Sequence, residues 1–277
     1  MFYLDSLEKY SVLMTVYKGD KPAWLQTAID SIASQTIPPF EFVIVVDGPI
    51  SDSLDEVLRR YMTQSHIFHV IRLKENHGLA FALNVGLRNC RCPIIMRMDA
   101  DDYSLPSRYE KQIEVMLSRN LDFIGSNVEE FEGSLDNVIS KAVMPVYSDE
   151  LIRMAKKRNP IRHPSLVIKK SALEAVGAYD AKLLNGQDYD LIVRLLMAGF
   201  QGGNINETLV KMRVSPEFYS RRGGWKYFVR MRALKRKLYK IGFYNKWDYF
   251  VGVTAHFVSS MIPQKIRKVI YLKLLRS

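Results

Sequence analysis

The chain has 277 residues, of which 48% are hydrophobic and 25% charged, a balance that suits a globular protein with a sizeable core and excludes global disorder. Its two cysteines, Cys90 and Cys92, sit one residue apart with no His/Cys cluster around them, which excludes a disulfide framework and a zinc ribbon. The net charge of +11 is concentrated at one end: residues 221–277 hold 15 Lys/Arg and one acid, Asp248, whereas residues 1–220 hold 25 basic and 28 acidic residues.

The opening MFYLDSLEKY has no basic stretch ahead of an apolar core, so no secretory leader and a reduced, cytosolic chain are expected. No run of 18 apolar residues predicts a membrane-spanning helix. Residues 11–16, SVLMTV, read as a buried strand, and Trp24 to Gln35 has helical spacing through Leu25, Ala28, Ile29 and Ile32. Phe42 to Val46 is a second apolar strand, ending in Asp47-Gly48. Asp55–Tyr61 predicts a helix, His69–Leu73 a strand, Gly78–Asn89 a helix and Pro93–Met98 a fourth strand. A helix is expected over Pro106–Ser118 and a short strand over Leu166–Lys169. Apolar strands alternating with helices predict an α/β fold whose mostly parallel sheet is covered on both faces. Ligands of such sheets sit at the carboxyl ends of the strands. There, Tyr17 follows the first strand, Asp47 the second, and Asp99, Asp101 and Asp102 the fourth.

Neither GxGxxG after the first strand nor GxxxxGK[ST] anywhere is present, so the usual phosphate cradles of dinucleotide oxidoreductases and P-loop NTPases are missing. Three carboxylates just past a buried strand are costly to desolvate without a cation, and hard divalent ions take carboxylate oxygens together with substrate phosphates. An acidic turn leading into the next helix is the plainer reading, and Asp102 is expected to act as that helix's N-terminal acid, facing its dipole.

Taken in order, SVLMTVYKGD, AIDSIASQT, FVIVVDG, Asn76-His77-Gly78-Leu79-Ala80 with Asn84 and Gly86, Asp99-Ala100-Asp101, and Gln187-Asp188-Tyr189-Asp190-Leu191 resemble the family 2 glycosyltransferases, inverting enzymes of the GT-A fold. The likeness covers roughly residues 10–200 and extends to bacterial O-antigen and exopolysaccharide enzymes. It implies a Rossmann-like GT-A domain over residues 1–220, a UDP-sugar donor (galactose or glucose), Mn²⁺ or Mg²⁺, and a polyprenyl-diphosphate-linked saccharide acceptor. It implies work on the inner face of the bacterial cytoplasmic membrane. Carried onto this chain, Asp47 would bond the uracil or ribose, Asn76 would belong to the donor site, Asp99 would meet ribose, sugar or metal, and Asp101 would bind the metal. Tyr17 would line the base pocket, core packing being the other reading. Asp188 would be the general base that takes the acceptor proton, with Asp190 expected as a helix cap. The family often has Glu where this chain has Gln187, which leaves Asp188 as the base. His163 and Arg162, before the Leu166 strand, are candidates to meet the diphosphate or metal, or are an ordinary hydrogen-bonded loop. Arg221 and Arg222 are candidates for a lid hinged at Gly223-Gly224, or a plain linker.

In the basic tail, Trp225, Phe228, Met231, Leu234, Leu238 and Ile241 recur every three or four residues among Lys and Arg. Residues Trp247–Ile262 are more apolar, and Ile266, Val269, Ile270 and Leu274 alternate with Lys and Arg. Basic amphipathic helices with Trp and Tyr predict association of residues 221–277 with an anionic membrane surface; a helical cap on the main domain is the alternative. No nucleic-acid motif accompanies the charge, so no nucleic-acid partner is expected. A different class of function remains open at this level: a non-catalytic nucleotide-sugar or membrane-binding protein.

Overall fold

The structure is a computed structural model, and it describes residues 9–215, 220–263 and 266–267. The expected leaderless N-terminus (residues 1–8) and most of the last amphipathic segment fall outside the described residues, as does Pro216 at the composition break.

Four β/α alternations open the chain. Strand β1 (Tyr10–Val16), α1 (Pro22–Ala33), β2 (Glu41–Val46), α2 (Asp52–Gln64), β3 (Phe68–Arg72), α3 (Leu79–Asn89) and β4 (Ile94–Met98) follow the expected order, with ends shifted by one to three residues. Helix α1 begins at Pro22, whose missing N–H and fixed φ suit a first turn. Strand β1 lies between β2 and β4, parallel to both, and β3 adds in parallel outside β2. Period-two alternation sends Val12, Met14 and Val16 to a core layer shared with α1 and α2, and Leu13 to the opposite layer with α3. Both faces are therefore buried, and each fully buried Leu, Ile or Val contributes about 1.5–3 kcal/mol. Gly86 lets α3 approach closely, since a Cβ there would lie 2.3 Å from Leu13 Cδ1. Strand β3 departs from the two-faced pattern: as the sheet edge it leaves His69 and Arg72 partly in solvent.

The second half was scarcely legible in the sequence. After β5 (Tyr103–Ser104), α4 (Arg108–Ser118) leads to β6 (Phe123–Phe131), β7 (Val138–Ala142) and α5 (Ser148–Ala155). Strand β8 (Val167–Lys169) inserts antiparallel between β4 and β6; α6 (Lys170–Ala175) and α7 (Gln187–Met197) follow, and β9 (Gly202–Arg213) pairs parallel with β6. The sheet order is β3-β2-β1-β4-β8-β6-β9-β5, with β7 on β6.

Helix α8 (Gly224–Lys240) and helix α9 (Lys246–Met261) form an antiparallel pair, with Phe228 against Phe257 and Tyr239 against Tyr249 at ring distances of 5.3 and 5.4 Å. The apolar side of α8 is buried: Met231, Leu234 and Leu238 pack with Tyr189 and Val193 of α7 and Ala155 of α5. Gly223, expected as a hinge, caps α8 beneath the Arg267 guanidinium, where a Cβ would clash at 2.0 Å.

Candidate functional site

Strand β4 delivers the acids. Its last turns are braced from below by Arg108, a fully buried side chain whose Nη2 donates to Arg97 O at 3.0 Å. Burial, and then the neighbouring Arg97, lower the Arg108 pKa to about 9. Arg97 itself is buried near the end of β4 and ion-pairs with Asp99, while its Nε and Nη1 have no hydrogen-bond partner among the described residues.

Beyond the strand, Asp99, Asp101 and Asp102 bring carboxylate oxygens within 4.8 Å of one another. Burial, reinforced by Asp99, raises the Asp101 carboxyl to about 6, and burial with Asp101 and Asp99 pushes Asp102 well above its usual range. Asp102 is not the helix-terminal acid expected from the sequence. Strand β5 intervenes, α4 starts only at Arg108, and Asp102 Oδ1 instead accepts the Arg213 N–H of β9 at 2.8 Å. Among the described residues its buried Oδ2 has no hydrogen-bond partner. A buried, unpaired carboxylate oxygen beside two further acids, with one direct ion pair among the three, is a set of hard oxygen donors short of positive charge. That donor set fits a divalent ion.

Two further groups were missed in the sequence. Arg213 donates through Nε to Asp101 O at 3.0 Å and lies over the Trp24 and Phe131 rings, tying the acidic loop to β9. Asp20, in the β1–α1 loop, accepts Tyr17 N at 2.9 Å; burial, against that bond and with Asp101 and Asp99 adding, raises its carboxyl to about 7. Only the clustering of Asp20 after the first strand could have flagged it. Tyr17 is exposed in the same loop, its ring folded over Gly19.

Asp47 and Asn76 come together in a different way from the one expected. The buried Asp47 carboxylate accepts Asn76 Nδ2 at 3.0 Å, His77 N at 2.8 Å and Gly78 N at 2.9 Å. Gly48 has φ +86, and a Cβ there would meet Asn76 N at 2.7 Å, so the two loops interlock only with glycine. Three of the roughly four acceptor directions of the Asp47 carboxylate are thus taken by protein, and Asn76 serves the loop.

On the far side, His163 and Tyr179 share a hydrogen bond of 2.9 Å. His163 is not a solvated loop residue: burial, and then Arg97, hold its pKa well below the usual value, so the ring is neutral. Burial raises the Tyr179 hydroxyl above its ordinary range, Arg97 opposes this, and Asp188 and Asp99 add to it; the phenol therefore lies within electrostatic reach of both the acidic cluster and the candidate base. Asn84 fixes the Tyr179 backbone from both sides, accepting its N–H at 3.0 Å and donating to its carbonyl at 2.7 Å. Asp188 lies in the first turn of α7 and accepts Asn159 Nδ2 at 2.8 Å. Asp190 is not the cap. Gly186, in the left-handed region at φ 74, holds that place, and the buried Asp190 is paired with Arg194 at 2.8 Å and Lys237 of α8 at 2.6 Å. Arg162 and Arg222 both lie within electrostatic reach of the buried Glu130 of β6.

A recess of about 540 Å³ is lined by Pro22 and by α2 residues including Glu56 and Arg60, and shares no residue with the acidic site. Chemistry rather than enclosure marks the site.

The glycosyl transferase family 2 model matches residues 11–177. The chain is 32% identical, over 98% of its length and 98% of the relative's, to the UDP-Gal:alpha-D-GlcNAc-diphosphoundecaprenol beta-1,3-galactosyltransferase of Escherichia coli. It is 32% identical, over 95% and 98% of the two chains, to the amylovoran biosynthesis glycosyltransferase AmsE of Erwinia amylovora. Among solved structures, the mannosyltransferase PcManGT of Pyrobaculum calidifontis, in complex with GDP-Man and Mn²⁺, superposes with a TM-score of 0.64 at 16% identity over 92% of this chain and 71% of that one. S. aureus TarS superposes with a TM-score of 0.62 at 17% identity, over 96% of this chain but 46% of the longer TarS chain. At these identities the structural neighbours show the GT-A fold alone.

Proposed function

Because the chain belongs to glycosyl transferase family 2 and is a glycosyltransferase, we propose that it moves a hexose, galactose or glucose, from a UDP-sugar to a polyprenyl-diphosphate-linked saccharide in bacterial polysaccharide assembly. The E. coli relative's name, over nearly the full length of both chains, supports that donor and acceptor class.

The observation that carries the reading is the cluster of Asp99, Asp101 and Asp102 at the end of β4 together with Tyr179, a phenol within electrostatic reach of both Asp99 and Asp188. Asp101 and Asp102, with Asp99, would hold Mn²⁺ or Mg²⁺. When bound, the ion supplies counter-charge for the departing diphosphate. Asp188, oriented by Asn159, takes the acceptor hydroxyl proton as that oxygen attacks the anomeric carbon. The carbon–oxygen bond to UDP breaks with its electron pair leaving on the diphosphate, and configuration inverts. The remaining acceptor direction of Asp47 would meet the nucleoside. The neutral His163 and Tyr179 line the space between the two centres and add no positive charge to it.

Metal-dependent release of UDP from a panel of UDP-sugars, with a synthetic lipid-diphosphate acceptor, tests the reading. Asp188→Asn and Asp101→Ala should each lower transfer by about 10³-fold or more with the circular dichroism spectrum intact. Undiminished transfer in Asp188→Asn, or activity that survives EDTA, would refute the assigned roles.

A further inference from the structure

Helix α9 has one side turned to the protein and one to solvent. At 100° per residue, Trp247, Phe250, Val251, Phe257, Val258 and Met261 fall within an arc of about 120°. All six are exposed, with Trp247 at 70%, Phe250 at 61% and Val258 at 54%. The opposite side carries Tyr249, His256 and the buried Ser260 against α8. Six large apolar side chains in one solvent-facing stripe on a helix of 16 residues are what a monomeric soluble surface avoids. Trp247 and Phe250 stack at one end of the stripe; at the other, the exposed Trp225 lies against Phe228, which touches Phe257. Aromatic rings at both ends of an apolar stripe suit a boundary between hydrocarbon and water.

The charge around the stripe selects its occupant. Exposed on α8 and at the start of α9 are Lys226, Arg232, Arg236, Lys240 and Lys246. The helix pair's one acid, Asp248, is tied to Lys156 at 3.2 Å. A second copy of this chain would oppose cation to cation, whereas an anionic bilayer meets both the apolar arc and its cationic surround.

We propose that α9 is the membrane-docking element: it lies flat in the headgroup region of an anionic bilayer with the Trp247–Met261 arc inserted, while α8 attaches it to the catalytic domain. The sequence expectation assigned membrane association to residues 221–277 as a whole; packing divides the labour between the two helices. The apolar residues of α8 are already buried against α7, so α8 contributes charge and α9 contributes insertion. The inference deepens the reading of a lipid-linked acceptor and rests on it for its purpose. Because α8 pairs directly with Asp190, two residues from Asp188, docking α9 fixes the height of the base above the bilayer.

Flotation with vesicles of phosphatidylcholine and phosphatidylglycerol, using the full chain, is the test. Phe250→Ser/Val258→Ser should weaken partitioning by about tenfold or more, and pure phosphatidylcholine should weaken it similarly for the parent. Trp fluorescence should be quenched by brominated lipid, with much of the quenching lost in Trp247→Phe. Transfer to a short-chain, water-soluble acceptor should be unchanged in the double variant. Vesicle binding that survives the double substitution overturns the proposal; so does a parent dimer that the substitution dissociates while vesicle binding persists. Vesicle binding that requires the arc, in a protein that transfers no sugar, would leave α9's role standing and sink the transferase reading instead.

Discussion

Lys237 is the point at which the C-terminal helices grip the catalytic centre. Its ammonium reaches Asp190 Oδ1 at 2.6 Å and Asp180 Oδ2 at 2.7 Å. One acid lies two residues from Asp188, the proposed base, and the other immediately follows Tyr179. Burial pushes the Asp180 carboxyl up, but the hydrogen bonds from Lys237 and the Lys182 N–H, with the Lys237 and Arg194 charges, together outweigh it and the net shift is downward. Lys237→Met keeps the stem and removes the charge. Asp190 is completely buried and would keep Arg194 as its single cation. Losing one of two partners at a buried carboxylate costs about 1–3 kcal/mol, and the partly exposed Asp180 pair adds less than about 1 kcal/mol. The expected loss is thus about 1–4 kcal/mol, measured by urea unfolding. If α7's first turn then drifts by about 1 Å, kcat falls by about 10²-fold, while KM for the donor, which the proposal seats at the acids beyond β4, moves little. Kinetics at a temperature where the variant is fully folded, with Lys237→Arg as a rescue control, separate the two effects. A variant destabilised as expected but with kcat unchanged would refute the claim that α8 positions the base.

Three other outcomes follow from the same packing. Gly186→Ala places a Cβ 2.5 Å from Leu234 Cδ2 at a φ of +74, so it should destabilise by about 2–4 kcal/mol in thermal unfolding and lower kcat with it; a neutral effect would contradict the α7–α8 contact. Lys235 is buried between Tyr189 and Tyr244, and burial lowers its pKa to about 8 from an ordinary 10.5. Between those values the unfolded chain holds the extra proton, so stability gains a contribution as pH rises through that window; Lys235→Met should be the more stable protein at pH 7, with its advantage shrinking by about 3 kcal/mol by pH 10.5. A constant difference across pH would contradict this. Truncation after residue 220 removes Phe228, Met231, Leu234, Leu238, Phe243 and Tyr244, whose burial at about 1.5–3 kcal/mol each rivals a whole domain's stability; the shortened chain should bind a hydrophobic dye and lose cooperative melting, and a sharp parent-like melt would show α8 to be dispensable.

The N-terminal half was legible because its signals are local. Parallel strands buried on both faces are continuous apolar runs such as FVIVV, and the acids at their ends have to lie along one edge of the sheet. The long strands β6 and β9 escaped because their inward residues include Ser126, Asn127 and Asn204, buried polar residues; the side chains of Asn127 and Asn204 donate to Asn206 and Pro160, far along the chain. The same blindness to long-range pairing misassigned Asp102 and Asp190. Near a helix start each looks like a capping acid, whereas Asp102 answers a backbone N–H 111 residues away and Asp190 a lysine on α8. His163 read as a diphosphate or metal candidate or a hydrogen-bonded loop residue, because nothing nearby in the sequence announces its partner Tyr179 or the burial that, with Arg97, keeps it neutral. In the tail, periodicity identified amphipathic helices but not which face was already occupied. Only packing shows α8 committed to α7 and α9 open.

The central claim is that the carboxylates past β4 and the carboxylate of Asp188 serve opposite ends of one transfer. A crystal structure with UDP and Mn²⁺ tests it most directly. The account predicts an anomalous manganese peak bridging Asp101 and the diphosphate, with Asp188 across Tyr179 facing the space where the sugar's anomeric carbon would lie. A peak elsewhere, or a nucleotide seated away from Asp47 and Asp101, would contradict it.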